Sequence, residues 1–154
     1  MRARPRGSSL THTAIARTLL MLLCGLQGLG TLVIDLGRTH AGNHDWLRHA
    51  RYHVVWQAAS TALLSLVELA LLLTPGRHLE DRFYLAAILA SVPMLGFFGA
   101  FATRKLFGSA LSDPNGIPPA RVVILGSETW IDLNLVAEAA ALTVLLSIVV
   151  LYRN

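Results

Sequence analysis

The sequence predicts an all-α fold: a single integral membrane domain over residues 1–154, built as a four-transmembrane-helix bundle with both termini on the same side. Three observations predict it. Of 154 residues, 54% are hydrophobic and only 14% are charged, against about 25% charged in an ordinary soluble domain. The apolar residues gather into four stretches, each close to the roughly 20 residues a helix needs to cross the hydrocarbon core. Each stretch is bounded by charge, proline or glycine. With a mean hydropathy of +0.55, this composition excludes a soluble globular protein, a disordered tail and a disulfide-stapled secreted domain. A single cysteine, Cys24, excludes an intrachain disulfide and any CxxC metal site. The net charge of +4 is spread over chain ends and loops, as topology signals are, so the basic balance does not point to nucleic acid.

The four expected spans are 14–36, 49–73, 83–101 and 130–152. The first follows Arg2, Arg4 and Arg6 and has the look of a secretory signal. It is longer than the roughly 7–15 apolar residues of a signal core and lacks a small-x-small cleavage site, so it reads as a retained helix. Gly25, Gly28 and Gly30 give it a small face suited to close helix approach. The second span stops at Thr74-Pro75-Gly76, a strong breaker. The third carries Gly96, Gly99 and Ala100 as a second small face, with Pro93 in its interior. Its Met94, Phe97, Phe98 and Phe101 read as packed or lipid-facing residues. The connection to the fourth span contains Asp113-Pro-Asn-Gly-Ile-Pro-Pro, a run of tight turns. Basic residues near the spans divide almost evenly, and the N-terminal arginines tip the orientation toward termini inside. An even number of spans brings the first and third connections to one face of the membrane, where the turn-rich run would lie over a site as a lid.

The densest chemistry lies in the first of those connections. Four of the six histidines, His40, His44, His49 and His53, fall within 40–53. On a helix His49 and His53, four residues apart, stack about 5–6 Å from each other, a spacing that lets two imidazoles share one metal ion. Asp35 closes the first span just before this loop, and Arg48 and Arg51 flank the histidine pair. Histidines and Trp46 are also at home in the headgroup layer without any further role.

Carboxylates at bilayer depth are costly, about 2.5–3.5 kcal/mol on insertion scales, so Glu68, Asp132 and Glu138 stand out. If the fourth helix begins at residue 130, Glu128 and Asp132 lie at its mouth, four apart on one side and level with the histidines. Glu138 then lies about 15 Å deeper than Glu128. Glu68 lies about 22 Å along its helix from His53, too far to share a metal with the histidines. It is expected to meet another buried polar group: Gln57, Ser65 or a group on the first or third span. Asp132, Asn134 and Glu138 form a polar arc that should turn inward.

These readings converge on one site. Asp35, His40, His44, His49, His53, Glu128 and Asp132 form the candidate metal set, with donors suited to Zn, Fe or Mn. His49, His53, Asp132 and Glu138 are the candidate catalytic residues. The string Asp35…Thr39-His40…Trp46-x-x-His49-Ala50-Arg51-Tyr52-His53, with Asp132-x-Asn134-x-x-x-Glu138, resembles an uncharacterised family of small four-span membrane proteins. The resemblance implies that these residues belong to one pattern and brings no activity or cofactor. DoxX-like proteins are similar in size and span count. The expected function is a His/carboxylate enzyme, metal-dependent or acid–base, acting on a lipophilic small molecule. It is expected as a multi-pass protein of the plasma or inner membrane of a bacterium. The alternatives are a proton-coupled transporter, which with four helices requires a homo-oligomer, or an accessory subunit of a membrane complex.

Overall fold

The computed structural model describes residues 6–154, with side chains from residue 11 onward. Arg2 and Arg4, and the Arg6 side chain, lie outside the described residues. Helix α1 (Arg6–Asp35) is followed by α2 (Arg48–Leu73) and α3 (Leu79–Thr103). A 3-10 turn (Arg104–Phe107) and an antiparallel hairpin, β1 (Ala120–Ile124) and β2 (Ser127–Ile131), lead to α4 (Leu133–Arg153). Among the described residues, four helices are long and apolar enough to cross a membrane.

The helices stand in a ring. Helix α1 packs on α2 and α4, and α3 packs on the same two, while α1 and α3 barely meet across the diagonal. Most apolar surface points outward: Leu26 is 71% exposed and Val33 74%, and Leu63, Leu66, Ile88, Leu95 and Leu146 continue this skin around the bundle. Soluble monomers rarely expose apolar patches beyond a few hundred Å². A lipid solvent makes the arrangement favourable, and the four apolar helices are compatible with a small integral membrane protein.

The core is not spread evenly along the bundle. Ala16, Leu20 and Cys24 of α1, Leu72 of α2, Phe83, Ala86, Ala87, Ala90 and Met94 of α3, and Leu145 and Ile148 of α4 form the contiguous buried apolar cluster, with Ala58 of α2 buried apart from it. The cluster lies toward the α2–α3 connection, because α1 and α3 contribute mainly from their first two thirds and α2 and α4 from their last halves. The rings of Phe83 and Tyr152 stack there at 3.7 Å between centroids, with Tyr84 edge-on to both. Arg17 Nη2 donates to Leu72 O at 2.6 Å, satisfying a carbonyl that the end of α2 leaves open. Arg82 donates to Thr74 O at 2.8 Å and also to Arg77 O, which fixes the short turn between α2 and α3.

Of the glycines expected to form small faces, only Gly28 is in close contact. A Cβ on Gly28 would stand 2.7 Å from Ser65 Cβ and Oγ, whereas one on Gly25, Gly30, Gly96 or Gly99 would meet nothing within 4 Å. Ser65 Oγ in turn donates to Cys24 O at 2.5 Å. Glu68 sits one turn from Ser65, 1% exposed, with the Cys24 thiol in hydrogen-bonding reach. The polar partner of Glu68 is thus a group on the first helix, the Cys24 thiol, while the Ser65 hydroxyl is engaged by Cys24 O.

The main departure from the expected all-helical chain is the hairpin. Residues 120–131 carry Val122, Val123, Ile124, Thr129, Trp130 and Ile131, a β-rich composition. They flank a two-residue turn in which Leu125 (φ 50°) and Gly126 (φ 81°) both take positive φ. Such turns match the twist of paired strands, and the register runs from Ala120 opposite Ile131 to Ile124 opposite Ser127. The fourth helix therefore starts at Leu133 rather than at residue 130.

Candidate functional site

Two connections meet at the end of the bundle remote from the tight core. Asn43, only 8% exposed, donates from Nδ2 to Asn115 O at 2.6 Å and accepts Asp45 N–H on Oδ1 at 2.9 Å. Asp113 Oδ1 accepts from Asn115 N at 2.8 Å, and Gly116 N donates to Asp113 O at 3.0 Å, which closes the turn. The turn-rich segment expected as a lid is thus held by the first connection and forms a wall.

Between these walls lies a cleft of about 460 Å³, within the usual range for small-molecule sites. His40, Asp45, Trp46, Leu47 and Ala50 line one side. Residues 110–113 and 115–117 line the other, and Asn134 from the first turn of α4 completes it. His40 shares a 3.0 Å hydrogen bond between its Nδ1 and Thr39 Oγ1, and its ring stands edge-on to Trp46 at 5.3 Å. The Trp46 Nε1–H, shielded from solvent, has no hydrogen-bond partner among the described residues. A second, smaller groove of about 180 Å³ shares Ala110 and Leu111 with the cleft and is otherwise lined by Phe97, Ala100, Phe101, Arg104 and Ser109. Phe97 lies about 10 Å along α3 from Arg104, so this groove runs from the polar cleft down an apolar helix face. Arg104 donates from Nη1 to Phe101 O at 2.6 Å, with its guanidinium 4.1 Å over the Phe101 ring.

The structure gathers some of the expected residues and disperses others. Asp35, the last residue of α1, is half-buried and within electrostatic reach of both His40 and Glu138. His44 is exposed in the loop. His49 and His53 do pair, Nε2 to Nε2 at 3.0 Å, but on the outside of the bundle, in an aromatic strip with Tyr52 (65% exposed) and Trp56 (59%). Helical phase explains this. The buried face of α2 is Ala58, Thr61, Ser65, Glu68 and Leu72. At 3.6 residues per turn, His53 lies about 140° and His49 about 180° around the helix from Ala58.

Glu128 and Asp132 do not share a helix face. Glu128 is on β2, exposed, in an ion pair with Arg121. Asp132 is the N-cap of α4, its Oδ1 accepting Leu135 N–H at 3.0 Å, which satisfies a donor the first turn leaves open. Glu138 lies only six residues inside the helix, about 9 Å from that cap, shallower than the sequence spacing suggested. Among the described residues, no three His, Cys, Asp or Glu side chains gather closely enough to hold a metal ion. The seven-residue metal set of Asp35, His40, His44, His49, His53, Glu128 and Asp132 is therefore not assembled, because two members face outward, one sits on a strand and one is engaged by backbone.

Sequence reasoning passed over Asp45, Trp46 and Asp113 as site residues. The signal was present in the even span count, which puts both connections on one face, and in the Asp-Trp pair set among the histidines. Comparison with family models, curated proteins and solved structures finds no match for this chain.

Proposed function

We propose that this integral membrane protein binds an amphipathic small molecule at the membrane surface, with the polar head in the cleft and the apolar chain in the groove along α3. The supporting observation is the shared wall: Ala110 and Leu111 border both recesses, so one ligand can lie across the polar and apolar parts. Placing the chain against Phe97, Ala100 and Phe101 removes apolar area from the interface, and Asn134 and His40 offer the few polar groups that fix a head's orientation.

A diazirine-tailed single-chain amphiphile tests this. Saturable insertion into residues 97–111, competed by unlabelled chain and lost in Ala110→Trp, is the expected result. Uncompeted labelling spread evenly over four helices refutes it.

A second reading, acid–base chemistry on the bound molecule, is favoured by one specific observation. His40 borders the cleft, and Asp35 lies within electrostatic reach of both His40 and Glu138. An imidazole so supported can accept a proton from a ligand while the carboxylate balances the charge. On this reading His40→Gln keeps binding of the probe and abolishes its conversion.

A further inference from the structure

We propose that the β1–β2 hairpin is a lipid-contacting element: its turn, Ile124-Leu125-Gly126, enters the boundary between headgroups and acyl chains of the bilayer that the four helices cross. The first observation is the turn residue. Both turn positions take positive φ, 50° at Leu125 and 81° at Gly126, a geometry that ordinarily carries Asn-Gly or Asp-Gly. A left-handed backbone disfavours leucine, and Leu125 is also wholly exposed, beside exposed Val123 and Ile124. The second observation is independent of it. A two-stranded hairpin alone is marginal in water, and no helix of the bundle packs firmly on this one. An apolar surrounding outside the protein answers both.

The layer at the base of the hairpin says which surrounding that is. Where the chain enters and leaves the helices at this end of the bundle stand Leu47 before α2, Leu106 and Phe107 after α3, and Trp130 before α4, all exposed. Arg48, Arg104 and Lys105 lie among them in sequence. Apolar and aromatic side chains set among basic residues are the composition of a membrane surface, and here they continue the apolar skin of the helices. The strand runs about 17 Å from Trp130 to Leu125. Laid along the surface, the hairpin reaches lipid with its tip and keeps the Arg121–Glu128 ion pair among the headgroups. Lipid phosphates complement Arg104 and Lys105, which would repel the same surface of a second copy.

The test uses the full chain in phosphatidylcholine–phosphatidylglycerol vesicles, with an NBD fluorophore on Leu125→Cys. The unsubstituted chain, treated in parallel, measures any reaction at buried Cys24. Leu66→Cys, on the exposed apolar side of α2, reports whether the helices themselves meet lipid. A turn seated about 5–10 Å into the boundary is expected to lose about half its emission to lipids brominated near the glycerol end of the chain, less to those brominated near the methyl end, and little to aqueous iodide. Leu125→Asn suits the turn backbone better but removes the lipid contact, and is expected to speed amide exchange over 122–129 severalfold in nanodiscs. Iodide quenching equal to that of the free dye, shielding from both quenchers as a second copy would give, or unchanged or slower exchange in Leu125→Asn overturns the proposal; bromolipid quenching at Leu66→Cys then leaves the membrane reading standing. No bromolipid quenching at either site overturns both.

Discussion

Replacing Gly28 with alanine places a methyl group where α1 and α2 are closest. The added Cβ would lie 2.7 Å from both Cβ and Oγ of Ser65, with Ala62 Cα at 3.7 Å. The Ser65 Cβ is fixed to its backbone, and its hydroxyl is held by Cys24 O at 2.5 Å, so the helices must move apart. Overpacking of this kind costs about 1–3 kcal/mol, and alanine's helix preference over glycine returns about 0.8–1.0 kcal/mol. The net expectation is a loss of up to about 2 kcal/mol, at about 2–4 °C of Tm per kcal/mol for a chain of this size. Gly25→Ala, on the same helix with open space around it, is expected to be neutral or slightly stabilising. Cys24 is the only cysteine and is buried beside this contact, so its labelling by a fluorogenic maleimide on heating reports the opening of the α1–α2 seam. Gly28→Ala with Ser65→Gly should recover most of the loss. If Gly28→Ala melts above the wild type or level with Gly25→Ala, the seam is not tight and the reasoning fails.

Three further outcomes follow from the same geometry. Asp132→Ala removes the N-cap of α4 and should cost about 1 kcal/mol, visible as faster amide exchange in 133–136; Asp132→Ser should restore most of it. Asn43→Ala unties the two connections and leaves Asn115 O without that donor, so exchange in 113–117 should rise and stability fall by about 1–2 kcal/mol. His49→Ala with His53→Ala removes an exposed pair far in helical phase from the core, and should change Tm by less than about 1 kcal/mol's worth and leave probe binding in the cleft unaltered; a lost cleft would show that the pair acts inward after all.

Much of the bundle was legible because lipid imposes long apolar runs, and proline, glycine and charge mark their ends. The second span, read as 49–73, is α2 within a residue. What the pattern could not carry was phase. Helix α2 is apolar on nearly every side, so composition alone does not say which face turns inward. His49 and His53 were placed by proximity in sequence, and only the buried series from Ala58 to Leu72 shows that they point away. The hairpin was obscured for a related reason: Trp130 and Ile131 are as apolar as the helix that follows and extend its hydropathy backward. The β-branched density and the Leu125-Gly126 turn were the available signals. Asp132 looked like a buried ligand because the helix start was set too early; as a cap it carries out a backbone task at the same position.

The Phe83–Tyr152 stack and the Arg17–Leu72 clasp act as a plug at the far end of the barrel of helices. On the reading above, a ligand is held where the first and third connections meet, while this packed end ties the four helices together away from it.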